Sequence, residues 1–597
     1  MSSTTLVPLV VVVPLLAAAA LAALGHFAPP RVDNLVAIAV SAAVTAMCIV
    51  LVFRSADHTI TYWFGGWQPR HGIAIGISFS VEPLGAGIAA LAGALATAAL
   101  IVSWDYFSRR VTHYFFLLIL VFLGAMVGFA LSSDLFNMFV FFEVMSVTAF
   151  ALTGYRIEQS SVLQGAINFA VVNTIGALML LTGIALIYGR TGSLNLAQIG
   201  QVLARERPDG LVIVAFTLIV VGFLTKAGAV PFHFWLSDAY AVAPAPVCVL
   251  FAGVMSDLGL HGVARTYWEA FSGALGSKAE TIRAVLVVLG VLTALLGGAM
   301  AFLQSSLKRM LAFVVIGHVG VFLVAIALLT ARGLAGATLY VIADGLVKGA
   351  VFCGVAHLAR RIGNVDELLA HGRARVIPGT GAMIAVAALA LAALPPLALL
   401  SGSGALAPVL VIASALTGAA VLRATARLFF GLGPERDDLL VQAPAGEERE
   451  VAPQAGCASV VFWAPGLMLL VAGLALAFTP GLAGRAVEQA QRFVDRPAVA
   501  RETLHGIRPV AAADQTFSLS AGSYAAAVAG AVGAVGLAWL GLYRRRIPAG
   551  LRSGADRLGG PALRRLKLVH DGVVGEYVTW LTVGAAVLGA LFAVLIR

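Results

Sequence analysis

Apolar residues in this sequence run in blocks of about twenty, separated by short polar interruptions, from Leu6 almost to the last residue. A helix crossing the roughly 30 Å hydrocarbon core of a bilayer needs about 20 apolar residues, so each block reads as one span. Sixteen are predicted, at 6–24, 34–53, 84–103, 113–131, 134–154, 162–188, 211–238, 240–265, 283–303, 308–330, 334–359, 378–401, 404–431, 460–480, 521–543 and 572–596. The expected fold class is an all-α polytopic membrane protein of about 16 transmembrane helices. Met1 to Thr5 carry no basic residue, so the first block reads as a retained helix rather than a cleaved signal peptide.

Composition agrees: 60% of the 597 residues are apolar and 11% are charged, against about 25% charged in soluble chains. The net charge of +10 does not indicate a nucleic-acid partner, because no basic run is interleaved with stacking aromatics. Most arginines flank spans, where they act as topology signals. Loops after odd-numbered spans hold 22 of the 39 Lys and Arg if Arg423 and Arg427 near the end of span 404–431 are included, against 15 after even-numbered ones, so both termini are expected outside a prokaryotic cell membrane. Four scattered cysteines, with no C-x-x-C and no glycine-rich phosphate loop, leave no expected cofactor, metal or catalytic centre.

The chemistry is in charges that interrupt the spans. Glu143, Lys226, Asp257, Asp344 and Lys348 each fall within an apolar run, at a cost of roughly 2.5–3.5 kcal/mol per residue at a helix centre. Only five of the 39 basic residues are lysines, yet two of those five lie inside spans. An amine can release its proton when desolvated, whereas a guanidinium stays charged, so lysine suits a group that must load and unload protons. Pairing between helices is the competing explanation, and Asp344 and Lys348, four apart with the acid first, fit an ion pair.

Histidines add carriers that titrate near neutral pH. His261 follows Asp257 by four residues and is expected on the same helix face, able to share a proton with it. His318 lies well inside its span, His233 follows Pro231, and His357 reads equally well as a packing residue. Proline interrupts two spans, at Pro231, five residues after Lys226, and at Pro395 and Pro396. Broken backbone at membrane depth is tolerated where protein or a wet cavity covers it. Both breaks fall in the fourth helix of a block, 113–265 and 283–431, the pattern of inverted repeats around a midplane site.

Several motifs together resemble the antiporter-like subunits shared by complex I, Mrp-type cation/proton antiporters, energy-converting hydrogenases and formate hydrogenlyases, and some bicarbonate-uptake complexes. They are YWFGGWQPRHGI at 62–73, DLFNMFVFFEVMS with Glu143, KAGAVPFHFWLSDAYAVAPAPV from Lys226, QSSLKRMLAFVVIGHVG with His318, and ADGLVKGAVF with Lys348. The resemblance covers roughly residues 60–431. It implies fourteen core helices with two inverted five-helix repeats and broken helices 7 and 12. The organisation expected is helices 1–3 with an outer loop in 1–112, helices 4–8 in 113–265, helices 9–13 in 283–431, and an extension with helices 14–16 in 432–597.

In that family the glutamate matching Glu143 sets how tightly the lysine matching Lys226 holds its proton, and protons pass along a polar axis through the position of Lys348 toward helix 12. This chain departs from the pattern in having Asp257 where many relatives have lysine, Asp344 where many have histidine, and Ser403 where a terminal Lys or Glu is usual.

The function expected is a proton-conducting subunit of a multisubunit respiratory or related complex, its driving reaction carried by other chains. Its proton-transfer residues would be Glu143, Lys226, His233, Asp257, His261, His318, Asp344 and Lys348. A sodium/proton antiporter subunit of a Mrp-like assembly and a non-conducting scaffold are the alternatives. Expected partners are related membrane subunits, protons, Na+ in the antiporter reading, and lipid. The basic stretch 544–568, broken by Pro548, Gly559, Gly560 and Pro561, is the candidate for anionic lipid or topology anchoring.

Overall fold

The computed structural model describes residues 3–27, 29–107, 113–156, 158–205, 208–394, 406–437, 440–441, 451–454, 459–506, 521–546, 548 and 572–596. Pro395, Pro396, Ser403 and most of the basic stretch 544–568 lie outside the described residues.

The chain opens with α1 (Ser3–Leu24) and α2 (Pro30–Arg54). A short antiparallel hairpin follows, β1 (Ile60–Trp63) on β2 (Ser78–Val81), with Ile60 opposite Val81. Next come α3 (Pro83–Tyr106), α4 (His113–Leu131), α5 (Leu135–Thr153), α6 (Ser160–Thr191) and the short α7 (Leu196–Leu203). α8 (Gly210–Ala227) and α9 (Phe234–Val242) are the halves of a broken helix. α10 (Ala245–Leu250), α11 (Ser256–Thr266), α12 (Ser272–Leu275) and α13 (Ala279–Leu303) form a longer stretch containing two π-helical turns, Phe251–Met255 and Tyr267–Phe271.

The second half holds α14 (Leu307–Ala327), α15 (Ala331–Ile362), α16 (Pro378–Ala393) and α17 (Ala407–Thr425). α18 (Ser459–Phe478), α19 (Leu482–Val494), α20 (Arg496–His505), α21 (Ala521–Leu542) and α22 (Val574–Leu595) complete it.

Fourteen of these stretches are long and apolar enough to cross a membrane. One of them, Ala245–Leu303, takes in the predicted span 283–303 and most of 240–265, and the predicted span 378–401 begins with the shorter Pro378–Ala393. The hairpin and the polar helices α19 and α20 carry no twenty-residue apolar block, which is why span counting does not find them. Side-chain caps set several starts: Asp134, Asn195, Asp209 and Thr330 accept backbone N–H groups from the first turns of α5, α7, α8 and α15.

α14 is buried along its length and α15 nearly so, so the polar residues they carry occupy the middle of the molecule. One backbone pairing occurs twice. Leu135 N–H donates to the Leu194 carbonyl at 2.8 Å while Leu196 N–H donates to Ser133 at 3.0 Å; Leu307 N–H donates to Val365 at 3.0 Å while Glu367 N–H donates to Ser305 at 3.0 Å. Each pairing ties the start of a central helix, α5 or α14, to the loop that follows the next helix along the chain.

Candidate functional site

Lys226 lies in the last turn of α8, which stops at Gly228 in the left-handed conformation (φ 73°) that glycine adopts without penalty. Pro231 follows inside the break, and the chain turns helical again at Phe234. The freed end is covered by protein: Trp235 donates its indole N–H to the Thr225 carbonyl at 3.0 Å and stacks on Phe169, ring centroids 4.3 Å apart.

The Lys226 side chain is fully buried and donates to Ser146 Oγ at 2.9 Å, with its ammonium 5.1 Å from the Phe142 ring and 5.8 Å from Phe169. Glu143, half-buried and one turn before Ser146 on α5, is the acid within electrostatic reach of Lys226. The lysine therefore sits in a mostly apolar pocket, where the balance between its charged and neutral forms depends on few groups.

The second cluster is a continuous chain of polar side chains. Asp257, on α11 just beyond a π-helical turn, places Oδ2 3.5 Å from Lys348 Nζ. Lys348 also meets Asp344 Oδ2 at 2.8 Å, one turn earlier on α15. Asp344 Oδ1 lies 2.7 Å from His318 Nδ1, and His318 Nε2 lies 2.9 Å from Thr417 Oγ1 on α17. Thr417 is the one member that the sequence did not single out, and the four ionisable members are at most 1% exposed.

The expected i,i+4 pair of Asp344 and Lys348 is present, but as the middle of a network reaching three further helices. His261 is arranged differently from the expectation: its Nε2 lies 3.1 Å from the Ala130 carbonyl, whereas Asp257, one turn earlier, engages Lys348. His233 is buried at the start of α9 against Phe234. His357 stacks on Phe462 and meets Thr380 Oγ1 at 2.8 Å, the environment of a packing residue.

Several charged groups were not singled out from sequence. Arg265 meets Glu82 and Glu269, each at 2.9 Å, and donates to the Ala130 carbonyl at 3.0 Å. Glu367 is held between Arg423 at 2.9 Å and Arg427 at 3.1 Å. Asp238, in α9, meets Arg309 at 3.0 Å, Asn168 at 3.0 Å and the Tyr577 hydroxyl at 3.0 Å. Only the Arg265–Glu269 spacing of four was a local signal; the other partners come from distant parts of the chain. Among the described residues no group of His, Cys, Asp and Glu is arranged to hold a metal ion.

Glu82 precedes α3, outside the spans. Burial pushes its carboxyl up to about 7, against the pull of the adjacent Arg265 guanidinium; Glu269 adds to the rise.

Comparison with known proteins gives a consistent picture. The family described as NADH:quinone oxidoreductase/Mrp antiporter, transmembrane, matches residues 132–428. NADH-quinone oxidoreductase subunit N of Desulforudis audaxviator is 30% identical over 397 residues, covering 65% of this chain and 77% of that protein. A Na(+)/H(+) antiporter subunit from Alkalihalophilus pseudofirmus is 28% identical over 365 residues, covering 60% and 71%. In the solved structures, a chain of the Mrp complex from Dietzia sp. superposes with a TM-score of 0.73 at 24% identity, over 84% of this chain and 99% of its own.

Proposed function

The chain belongs to the NADH:quinone oxidoreductase/Mrp antiporter membrane family, and from that premise we propose that it is a proton-translocating, antiporter-like subunit of a multisubunit respiratory or related complex. The observation that carries this reading is the unbroken series Asp257, Lys348, Asp344, His318 and Thr417 across α11, α15, α14 and α17. Every ionisable member is withdrawn from solvent, a costly arrangement that is a functional site by default in a membrane protein. Lys226 and Glu143 form a second station. A proton arriving at Lys226 creates a positive charge next to Glu143 and its departure removes that charge, and the change in field biases the central series.

The relatives' names support a partnered subunit, since one is called a quinone oxidoreductase subunit and another an antiporter subunit. The excess of Lys and Arg after odd-numbered spans supports a cell-membrane orientation with both termini outside. The twice-repeated pairing, at 133–135 with 194–196 and at 305–307 with 365–367, supports blocks 113–265 and 283–431 as the two repeats.

The test is proton translocation by the purified complex in sealed vesicles. Lys226→Ala should abolish it with assembly intact; unchanged translocation would sink the mechanism. A second reading, sodium/proton exchange, is favoured by the two carboxylates, Asp257 and Asp344, on one ammonium, since Na+ could replace the Lys348 charge between them. Transport that rises with Na+ on the opposite side of the vesicle would select it.

A further inference from the structure

A cavity of about 210 Å³, lined by charged as well as apolar side chains, lies between the core and the C-terminal helices α19 and α20. The core contributes Glu82, Glu269 and His58 to its lining; the extension contributes Arg492, Asp495 and Glu502. The extension is tied down over it by polar contacts to the core. Gln489 Nε2 donates to the Ala56 carbonyl at 3.0 Å, Arg496 to the Gly200 carbonyl at 2.8 Å, and Glu502 accepts the Thr59 N–H at 2.9 Å.

The inner wall leads to the central series. Glu82 lines the cavity and is held by Arg265, and Arg265 and His261 both reach the Ala130 carbonyl, at 3.0 Å and 3.1 Å. Gly85 lets these groups approach closely: a Cβ there would stand 2.8 Å from the Ala130 oxygen and 3.0 Å from Glu82 Oε1. His261 is one turn from Asp257 on α11, and Asp257 reaches Lys348.

We propose that the cavity beneath α19 and α20 is the aqueous port of the proton pathway on the face bearing the hairpin, with Glu82 as the carboxylate that exchanges protons between the cavity and His261. The proposal rests on the translocation reading above. In one direction Glu82 takes a proton from water in the cavity and gives it up toward His261 past the close junction at Gly85; the reverse sequence releases it. Arg265 remains charged throughout, so it carries no proton and serves to position the carboxylate. The charged and titratable groups facing Glu82 are Arg265 and Glu269 from α11 and the turn after it, His58 from the loop after α2, and Arg492, Asp495 and Glu502 from the extension. An acid poised to about 7 in such a place exchanges protons readily near neutral pH.

The experiment compares complexes reconstituted in vesicles. Glu82→Gln should lower proton translocation at least tenfold and flatten its dependence on pH between 6 and 8, and Glu82→Asp should restore most of the rate. Val499→Cys, on the cavity wall, should lose translocation several-fold when a cationic thiol reagent is attached and regain it on reduction, with reagent-treated wild type as control. The port stands only if both results are obtained. If Lys226→Ala abolishes translocation while Glu82→Gln keeps the wild-type pH profile, or while the labelled cysteine runs at full rate, the port is overturned. If Lys226→Ala itself has no effect, the translocation reading fails instead.

Discussion

His318 Nδ1 lies 2.7 Å from Asp344 Oδ1, with both side chains fully buried, joining α14 to α15 at the centre of the molecule. Because Asp344 also binds Lys348, this contact links the lysine to His318 on α14. Buried charges of this kind are costly when one partner is removed.

Asp344→Asn should therefore do two things at once. Stability in detergent should fall by about 3–5 kcal/mol, the usual cost of orphaning a buried ionic partner, and translocation should stop. His318→Gln keeps a hydrogen-bonding group without the titration and should stop translocation with a smaller loss of stability. Thermal melting and vesicle assays on the two variants check this; equal melting losses would mean that His318 is mainly structural.

Ser146→Ala removes the hydroxyl that receives the Lys226 ammonium. The expected loss is about 1–3 kcal/mol, from leaving a buried donor unsatisfied, together with a several-fold slower rate. Ser146→Thr should recover most of the rate, and a recovery no better than with alanine would remove Ser146 from the pathway.

Glu82 should mark the pH dependence of stability. Its folded value, raised to about 7 by burial, exceeds the ordinary carboxylate value near 4.5. Between these limits the folded state holds more protons than the unfolded one, so this residue's contribution lowers stability as pH rises from about 4.5 to about 7. Melting temperatures across that range should decline less steeply in Glu82→Gln than in the parent.

Arg423 and Arg427 bracket Glu367, and the Arg423 guanidinium also donates to the Gln304 carbonyl at 2.9 Å. The cluster joins α17 to the loop after α15 and has no place in the proposed pathway. Arg423→Ala should cost about 3–5 kcal/mol and be seen as poor assembly; complexes that do assemble should translocate at near the parent rate.

Tyr577 attaches α22 to the core through its 3.0 Å hydrogen bond to Asp238. Tyr577→Phe should cost about 1 kcal/mol, detectable as a small drop in melting temperature with translocation retained.

The membrane helices were legible because hydrocarbon is an unforgiving solvent: twenty apolar residues in succession have few other places to be. The ionisable residues in the middle of apolar runs, Lys226, Asp257, Asp344 and Lys348 among them, were legible for the same reason, as exceptions to that rule; those at or just outside the ends of the spans, such as Arg265 and Glu82, were not. Lys226 could be placed before a broken helix because Pro231 cannot continue the hydrogen-bond ladder, and α8 does end at Gly228. The hairpin, α19 and α20 went unseen, since short polar elements at a membrane surface have no comparable signature.

The amino-acid order thus determined which helices are long and apolar enough to cross, that the Lys226 helix is interrupted, and which charges fall within apolar runs, because each depends on local apolar length or backbone chemistry. The partners were decided only in three dimensions. Nothing in the spacing tells that Lys348 reaches Asp257 as well as Asp344, that His318 meets Asp344 and Thr417, or that His261 turns to Ala130. Those contacts join residues up to 131 positions apart, and they follow from how α4, α11, α14, α15 and α17 pack: a buried charge takes the partner that packing places beside it.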